Sequence, residues 1–351
     1  MADANNIKDS GFRYLSRIYL RANYFCKCFR DGIIFPLTDD NGNWCRWTVL
    51  LGNNNTGKTN LLKLMQGSKK KYKYGYGVVR TISRERIRFI TSDSSNLTNN
   101  SPLINFEDWL LELELAGTKD ETAVKRKDLL KQNITGDVLP DISDIRFSTD
   151  EKYNNYIEYQ TEDGWFKLEE LGYGYQSTLG WMMDLCYRLF IDYPDSPNPL
   201  KEPAIVLVDE VDLHLHPQWQ RTIINRLSKI FPKVQFIVTT HSPFVIQSMD
   251  AVNLFTLRRE GDEVKIKHWG CRSFIGWGIE EILSEVMELG EQIKTDIYRK
   301  LMEDFIESVN NDDYHKGKEA YDELIKILHP QSVEHKLLKM QLSQLIPDDQ
   351  T

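Results

Sequence analysis

A loop at residues 52–59 has the composition and spacing of a phosphate-binding site. Its sequence, GNNNTGKT, matches the pattern G-x-x-x-x-G-K-[ST] in full, between an apolar strand at 48–51 and a helical segment. The two glycines let backbone N–H groups approach an anion, the lysine ammonium suits the β- and γ-phosphates, and the last threonine hydroxyl suits Mg²⁺. The alternative is a Gly/Asn turn before an ordinary helix. The candidate binding residues of this phosphate loop and the helix start are Gly52, Asn53, Asn54, Asn55, Thr56, Gly57, Lys58, Thr59 and Asn60.

Two carboxylates follow the apolar run at 204–208. Such a run predicts a buried parallel strand, whose carboxyl end lies at the sheet edge where α/β proteins bind ligands. Asp209 would hold Mg²⁺ there, directly or through water, and Glu210 would polarise an attacking water molecule. The alternative is a pair of charges that merely caps the strand.

A histidine, His241, closely follows the next apolar run, at 234–239. His241 should therefore emerge at the same edge as Asp209, within reach of a γ-phosphate. A lone histidine is more often structural than catalytic, and that alternative stays open. His214 and His216 have the spacing of a metal pair, but no third ligand lies nearby, which favours a structural or dimer-contact loop.

A glycine turn at residues 171–177 precedes a helical segment that starts at Thr178. Glycines ahead of a helix N-terminus make an anion-binding end, so Gly172, Gly174 and Ser177 are candidate phosphate contacts. By itself this glycine turn predicts no more than the start of a helix.

Basic and aromatic residues alternate after the phosphate loop. The segment 68–76 reads SKKKYKYGY, and four arginines lie around an apolar strand at 87–90. Such interleaving suits a nucleic-acid backbone, and a solvated sheet edge explains it equally well. Because the net charge is −8, we favour the solvated edge and keep DNA as a possible partner. The arginines are Arg80, Arg84, Arg86 and Arg88.

The order of elements predicts an α/β fold. Apolar strands that alternate with helices, one of them at 217–231, predict a mixed, mainly parallel sheet with helices on both faces. Strand patterns at 14–37 add an antiparallel β region, and helical periodicity predicts a short insert at about 103–140. From about residue 276 only helical periodicity remains. The predicted domains are a head at 1–275 and a C-terminal helical appendage at 276–351.

The 351 residues suffice for one large domain with an appendage. No apolar run reaches the length of a membrane span, and the first residues lack the apolar core of a signal peptide. We therefore expect a cytoplasmic protein without a membrane partner. The cysteines are scattered and odd in number, which predicts reduced thiols. They are Cys26, Cys28, Cys45, Cys186 and Cys271.

Together these segments resemble the ATP-binding cassette (ABC) ATPases, and within them the compact RecF, SMC and OLD-like group. That family carries a phosphate loop, a signature turn, an Asp-Glu strand, a D-loop and a switch histidine in this order. The matching positions here are 52–59, 171–177, 209–210, 211–215 and His241. The resemblance covers residues from 14 to about 271, so it implies that the predicted head is an ABC-ATPase head.

The resemblance also implies a chemistry and an assembly. Two protomers would sandwich ATP head to tail in a homodimer or a higher homo-oligomer. The glycine turn of one copy would then contact the γ-phosphate that Lys58 of the other copy binds. Glu210, His241 and Lys58 would be catalytic, while Thr59 and Asp209 would hold Mg²⁺.

Two departures from the family pattern concern the rate of hydrolysis. The signature serine of the family corresponds to Gly172, so its contact must come from backbone N–H groups or from Ser177. No glutamine follows the strand near Thr91, where the family has its Q-loop, and Asp93 or Ser94 is the polar substitute. A slow-hydrolysing, ATP-dependent scaffold is therefore one alternative function.

Three segments narrow the resemblance: GYQSTLGWMMDL, DEVDLHLHP and, in the tail, EEILSEVMEL. They are similar to the stand-alone ATPases of bacterial antiphage defence, including those of Septu and retron systems. That resemblance implies a sensor or regulatory subunit paired with a separate nuclease or effector, because the tail has no nuclease-like cluster of its own. The alternatives are a RecF-like DNA-repair clamp and, disfavoured by the missing glutamine, a transporter subunit.

Overall fold

A computed structural model describes residues 6–9, 12–20, 29, 32–67, 72–84, 96–139 and 141–345. The chain divides into two compact units, Met1–Ile282 and Leu283–Thr351. Several predicted features lie outside the described residues. They are residues 68–71 of the basic segment, the strand at 87–90, Arg86, Arg88, Asp93, Ser94, Cys26 and Cys28.

The secondary structure follows the predicted order. The strands are β1 Asn6–Asp9, β2 Phe12–Leu15, β3 Arg17–Leu20, β4 Ile33–Pro36, β5 Trp47–Gly52, β6 Lys73–Tyr76, β7 Asp144–Thr149, β8 Asn155–Thr161, β9 Gly164–Lys167, β10 Ala204–Val208, β11 Val234–Thr240, β12 Val252–Glu260 and β13 Glu263–Arg272. The helices are α1 Lys58–Gln66, α2 Asn96–Asn99, α3 Phe106–Gly117, α4 Glu121–Gln132, α5 Tyr173–Asp192, α6 Pro217–Gln220, α7 Ile223–Ile230, α8 Pro243–Gln247, α9 Ile279–Glu281, α10 Asp296–Asn310, α11 Tyr314–Ile327 and α12 Val333–Gln344.

The central sheet has the strand order β13-β12-β5-β11-β10-β6. Its neighbouring strands are parallel except at the β12–β13 hairpin, which is antiparallel. Strands β10 and β11 are buried along their whole length, as their continuous apolar sequences predict. Because β6, β10, β11 and β5 run in one direction, their carboxyl ends, with the segments that follow them, meet at one edge of the sheet.

Helices cover both faces of this sheet, as predicted. On one face Leu50, Leu207 and Ile237 belong to a core with Leu61 of α1 and Phe35 of β4. On the other face, the ring of Trp47 stacks on Phe236 at 4.3 Å and its indole N–H donates to Ser228 of α7. The α/β class with an additional antiparallel β region is therefore confirmed.

Helices α3 and α4 lie within the range predicted for the helical insert, about 103–140, and the three-stranded antiparallel sheet β7-β8-β9 follows them in the chain. The β8–β9 turn contains Gly164 at φ +131°, a conformation that glycine adopts without strain. Strand β8 contacts α3, where the Tyr159 hydroxyl donates to Oε1 of Glu107 at 3.0 Å. Burial raises the pKa of Glu107 to about 7 although that hydrogen bond acts in the opposite direction.

The predicted helix at 217–231 is broken in two, between α6 and α7. The N–H and the hydroxyl of Thr222 both donate to the carbonyl of Trp219, at 2.9 and 3.3 Å. In a continuous helix that carbonyl would accept the N–H of Ile223 instead. The side-chain hydroxyl thus supports a local turn that competes with the helix.

The second unit contains α10, α11 and α12, close to the helices predicted for the tail. Each begins at a side chain that caps its N-terminus: Thr295, Asp313 and Ser332. The three helices share a core of their own, which includes Phe305, Leu324, Leu338 and Leu342. Within the described ranges, no helix combines the length and the apolar character that a bilayer crossing needs.

Candidate nucleotide-binding site

The phosphate loop joins the end of β5 to the start of α1, and its two glycines meet different demands. A Cβ on Gly52 would lie 2.5 Å from the carbonyl oxygen of Leu257 on β12, so the close approach of that strand excludes any side chain. Gly57 precedes α1 at φ +81°, in the left-handed region that favours glycine. The intervening Asn53, Asn54 and Asn55 are exposed.

The Lys58 side chain folds back into the loop. It is only 7% exposed, and its Nζ donates to the carbonyls of Gly52 at 2.7 Å and Asn53 at 3.0 Å. The Thr56 hydroxyl also donates to the Asn53 carbonyl, at 2.9 Å. Burial lowers the pKa of Lys58, and the nearby Asp209 is the strongest influence in the opposite direction. Within the part of the chain that the structure describes, the Lys58 ammonium donates to carbonyl oxygens and to no carboxylate, so its charge is placed to bind phosphate.

Asp209, which follows β10, connects Thr59 at the end of the phosphate loop to Thr239 on β11. It is 1% exposed, and its Oδ2 accepts a 2.6 Å hydrogen bond from the hydroxyl of Thr59. Its Oδ1 accepts a 2.7 Å hydrogen bond from the hydroxyl of Thr239 on β11. Thr59 and Asn60 are exposed on α1. A hydroxyl and a carboxylate in contact form the oxygen donor set that Mg²⁺ prefers, so Thr59 and Asp209 fit this ion.

Glu210 has an unusual backbone conformation, with φ +50°. Non-glycine residues are uncommon in the left-handed region, and one persists there when its surroundings hold it. Its N–H donates to the Thr239 hydroxyl at 2.7 Å, and its carbonyl accepts from Nη2 of Arg80 at 2.7 Å. The half-buried Glu210 side chain is thus placed by contacts to its own backbone.

His241 follows β11 and lies at the edge that the sequence predicts. The half-buried imidazole has a lowered pKa, first because of burial and second because the Lys58 ammonium repels a second positive charge. A pKa below the ordinary 6.5 leaves the ring neutral at pH 7. His241 is therefore placed with Lys58 and the carboxylates in one electrostatic environment.

The glycine turn leads into the N-terminus of α5. Gly172 caps that helix and is exposed, while a Cβ on Gly174 would lie 2.5 Å from the carbonyl of His214. The ring of Tyr173 meets that of His214 edge to face at 4.8 Å. Ser177 is 2% exposed and its hydroxyl faces Arg80, so it is not at the surface. Of the two contacts considered for this turn, the Ser177 hydroxyl is therefore buried, whereas Gly172, which would contribute backbone N–H groups, is an exposed residue.

Two residues of the predicted basic patch are engaged inside the protein. Arg80 is 4% exposed, so neither a solvated edge nor a DNA contact describes it. Lys73 donates to the carbonyls of Met65 and, at 2.7 Å, Gln66 at the end of α1. Arg84 is exposed. Of these three basic residues, only Arg84 is exposed and not engaged by the contacts described here, so they offer little positive charge to a nucleic acid.

The two D-loop histidines have structural contacts. His216 caps α6 through Nδ1, which accepts the N–H of Gln218 at 3.4 Å, and His214 packs on Tyr173 as described. No group of three or more possible metal-ligating His, Cys, Asp or Glu side chains occurs among the described residues. Cys45, Cys186 and Cys271 are free thiols, as expected, and burial raises the pKa of each.

Sequence reasoning missed Thr239 and the role of Arg80. The signal that the sequence offers for Thr239 is its place at the end of the apolar run of β11, and the pairing of β10 with β11 comes from the structure. Arg80 carried no such signal, because its partners lie 129 and 130 residues away.

The sheet, the phosphate loop and the carboxylates beside it define the class: a P-loop ATPase of the ABC type. The family model described as "AAA domain, putative AbiEii toxin, Type IV TA system" matches residues 67–247, more than half of the chain. The chain belongs to this family.

Its curated relatives include defence proteins. Septu protein PtuA of Bacillus thuringiensis is 31% identical over 266 residues, which cover 72% of this chain and 66% of the relative. The retron Ec83 probable ATPase of Escherichia coli is 37% identical over 41% of this chain and 26% of its own length. The retron Vc95 probable ATPase of Vibrio cholerae is 33% identical over 48% of this chain and 32% of its own length. The chain thus spans less than two thirds of each relative, and the expected similarity to defence ATPases is confirmed.

Solved structures with a similar fold include SMC head domains. The SMC head bound to the C-winged helix domain of ScpA is 13% identical, with a TM-score of 0.40 over 69% of this chain and 95% of that chain. The SMC head domain from Thermotoga maritima is 17% identical, with a TM-score of 0.35 over 69% and 94%. Overall similarity to these structures is low.

Proposed function

We propose that this chain binds and hydrolyses ATP as the sensor or regulatory subunit of a bacterial antiphage defence complex. One observation carries the proposal: the Asp209 carboxylate accepts hydrogen bonds from Thr59 after the phosphate loop and from Thr239 on β11. These contacts join the phosphate-binding and water-activating parts of a hydrolytic site in one chain. The relatives named for Septu and retron systems support the biological setting.

The chain's own residues divide the work of hydrolysis. Lys58 and the N–H groups around Gly57 would bind the phosphates, and the neutral His241 would donate a hydrogen bond to the γ-phosphate. Glu210 would orient and polarise the attacking water. Mg²⁺, held by Thr59 and Asp209, would supply charge neutralisation on the phosphates when bound.

The proposed assembly uses the exposed glycine turn and the helical tail. The N–H groups at the start of α5 would contact the γ-phosphate of a second copy, so ATP would close a homodimer or a higher homo-oligomer. The helices after about residue 276 would bind a separate nuclease or effector. Their independent core supports such a role, because a docking surface needs a folded support.

Substitution of Lys58 or Glu210 tests the proposal. Lys58→Ala should abolish ATP binding, whereas Glu210→Gln should keep binding but lower phosphate release by roughly 100-fold or more. The exposed Lys152→Ala is the matched control and should behave as the wild type. Normal phosphate release by either site variant would refute the assignment. If the wild-type protein dimerises on ATP but releases little phosphate, the scaffold alternative is favoured.

A further inference from the structure

The Arg80 guanidinium lies directly behind the Asp-Glu turn. Its Nη2 donates to the carbonyl oxygens of both Asp209 and Glu210 at 2.7 Å, and its Nε donates to the Gly77 carbonyl at 3.1 Å. Arg80 thus ties the segment after β6 to the segment after β10. Only an arginine offers several donors in one rigid plane, so a lysine could not make this set of contacts.

The same guanidinium also reaches the first turns of α5. Its Nη1 lies 3.5 Å from the Ser177 hydroxyl oxygen, and its central carbon lies 5.9 Å from the centre of the Trp181 ring. Helix α5 begins in the exposed glycine turn, at Tyr173, only four residues before Ser177. One side chain therefore contacts both the backbone that carries Glu210 and the helix that carries the glycine turn.

The surroundings keep this buried cation charged. Burial lowers the pKa of Arg80 to about 10, and the carboxylates Asp209, Asp212 and Glu210 act against that change. A buried Asp212 oxygen, Oδ1, has no hydrogen-bond partner among the described residues, so its charge is available to stabilise Arg80 electrostatically. At neutral pH the guanidinium keeps all of its donors.

Loss of these contacts would act on Glu210 first. Its φ of +50° is unfavourable for a residue with a side chain. Its N–H donates to Thr239, and its carbonyl accepts from Arg80 at 2.7 Å and from the N–H of Leu213 at 3.0 Å. Without Arg80 the carbonyls of Asp209 and Glu210 lose a charged donor, and of the donors in the described part of the chain only the neutral Leu213 N–H still holds the Glu210 carbonyl. A shift of about 1 Å in a catalytic group costs up to roughly 100-fold in rate.

We propose that Arg80 is a positioning residue that holds Glu210 in its left-handed conformation and links that conformation to the place of α5. Engagement of the glycine turn would then be communicated to Glu210 through the Ser177–Arg80 contact. This inference rests on the proposed ATP hydrolysis. It adds Arg80 as the residue that connects Glu210 with the glycine turn of α5. Arg80 itself does not contact the phosphates in this mechanism.

The test compares Arg80→Met and Arg80→Lys with the wild type and with the exposed control Arg258→Met. Steady-state phosphate release gives kcat and KM, a fluorescent ATP analogue gives nucleotide affinity, and thermal unfolding reports the fold. We expect Arg80→Met to lower kcat at least about 10-fold while KM and affinity change less than about threefold. The kcat of Arg80→Lys should lie between those of the wild type and Arg80→Met, because lysine keeps the charge but lacks the planar set of guanidinium donors.

A double-mutant cycle with Ser177→Ala tests the link to α5. If Ser177 acts through Arg80, its substitution lowers kcat in the wild type and adds little in the Arg80→Met background. Additive losses would overturn the link.

The outcomes separate the inference from the proposed function. No phosphate release by the wild type would remove the proposed function itself. A wild type that turns over beside an Arg80→Met variant with unchanged kcat would overturn the positioning role. The positioning role would also be overturned if nucleotide affinity or thermal stability fell in proportion to turnover, since Arg80 would then be only structural. Where Arg80→Met does not fold, the same criteria apply to Arg80→Lys.

Discussion

Thr239 shows how much of the site depends on one hydroxyl group. It is fully buried, donates to Oδ1 of Asp209 and accepts the N–H of Glu210, both at 2.7 Å. A hydroxyl can donate and accept at once, so a single side chain orients both the Asp209 carboxylate, proposed to hold Mg²⁺, and the backbone of Glu210, proposed to be catalytic. Serine would be the natural substitute, whereas an apolar residue of the same shape would remove both contacts.

Thr239→Val should therefore affect stability and turnover together. The change preserves shape but leaves an Asp209 oxygen and the Glu210 N–H without a partner, which costs about 1–3 kcal/mol of unfolding free energy. Denaturant unfolding and phosphate release measure the two effects. Thr48→Val, in the neighbouring β5, is the control: it removes a buried hydroxyl that contacts Asn253 and should leave turnover near the wild-type level. Equal turnover in both variants would contradict the role assigned to Thr239.

At the scale of elements, the contact between α3 and β8 has a built-in pH dependence. Glu107 on α3 pairs with Tyr159 on β8, and its pKa of about 7 lies above the ordinary 4.5. The folded state thus keeps a proton that the unfolded chain releases. This stabilisation is fully present below pH 4.5 and is lost as the pH rises through about 7.

Glu107→Gln should remove that pH dependence. Glutamine has the shape of the protonated acid and can still accept the Tyr159 hydroxyl, but it carries no charge at any pH. We expect the variant to exceed the wild type in unfolding free energy by about 1–3 kcal/mol at pH 8, with little difference at pH 5. Denaturant unfolding at the two pH values measures this. Glu112→Gln on the same helix is the control. A Glu107→Gln variant with the same pH profile as the wild type would argue against a protonated Glu107 in the folded protein.

At the scale of the whole molecule, each of the two units has its own hydrophobic core. The core of Leu283–Thr351 centres on side chains such as Leu324, which is fully buried between helices. A unit with its own core can lose stability without a matching change in the other unit.

Leu324→Ala should uncouple partner binding from ATP hydrolysis. The cavity should cost about 2–5 kcal/mol in the helical unit, seen as faster hydrogen exchange in α10, α11 and α12. Phosphate release should stay near the wild-type rate, while binding of the proposed nuclease or effector should weaken. Ile327→Ala, at a side chain that is 51% exposed, should leave hydrogen exchange unchanged. Loss of phosphate release in Leu324→Ala would show that the site depends on the helical unit.

The sequence alone determined the features that depend on neighbouring residues. The phosphate loop is a contiguous motif with glycines at its two demanding positions, and the apolar runs of β10 and β11 predict buried parallel strands. The helical periodicity after about residue 276 predicts the helices of the tail, among which α10, α11 and α12 are found. The order of these features along the chain is the basis of the resemblance to ABC ATPases.

Only the tertiary structure decided which distant groups meet. Arg80 read as part of a basic patch, yet its guanidinium lies against carbonyls 129 and 130 residues away, and Ser177 points toward it rather than to the surface. Thr239 became part of the site because β10 and β11 are neighbours in the sheet. The physical reason is that local sequence sets backbone conformation, whereas the partner of a buried polar group depends on which strands and helices pack beside it.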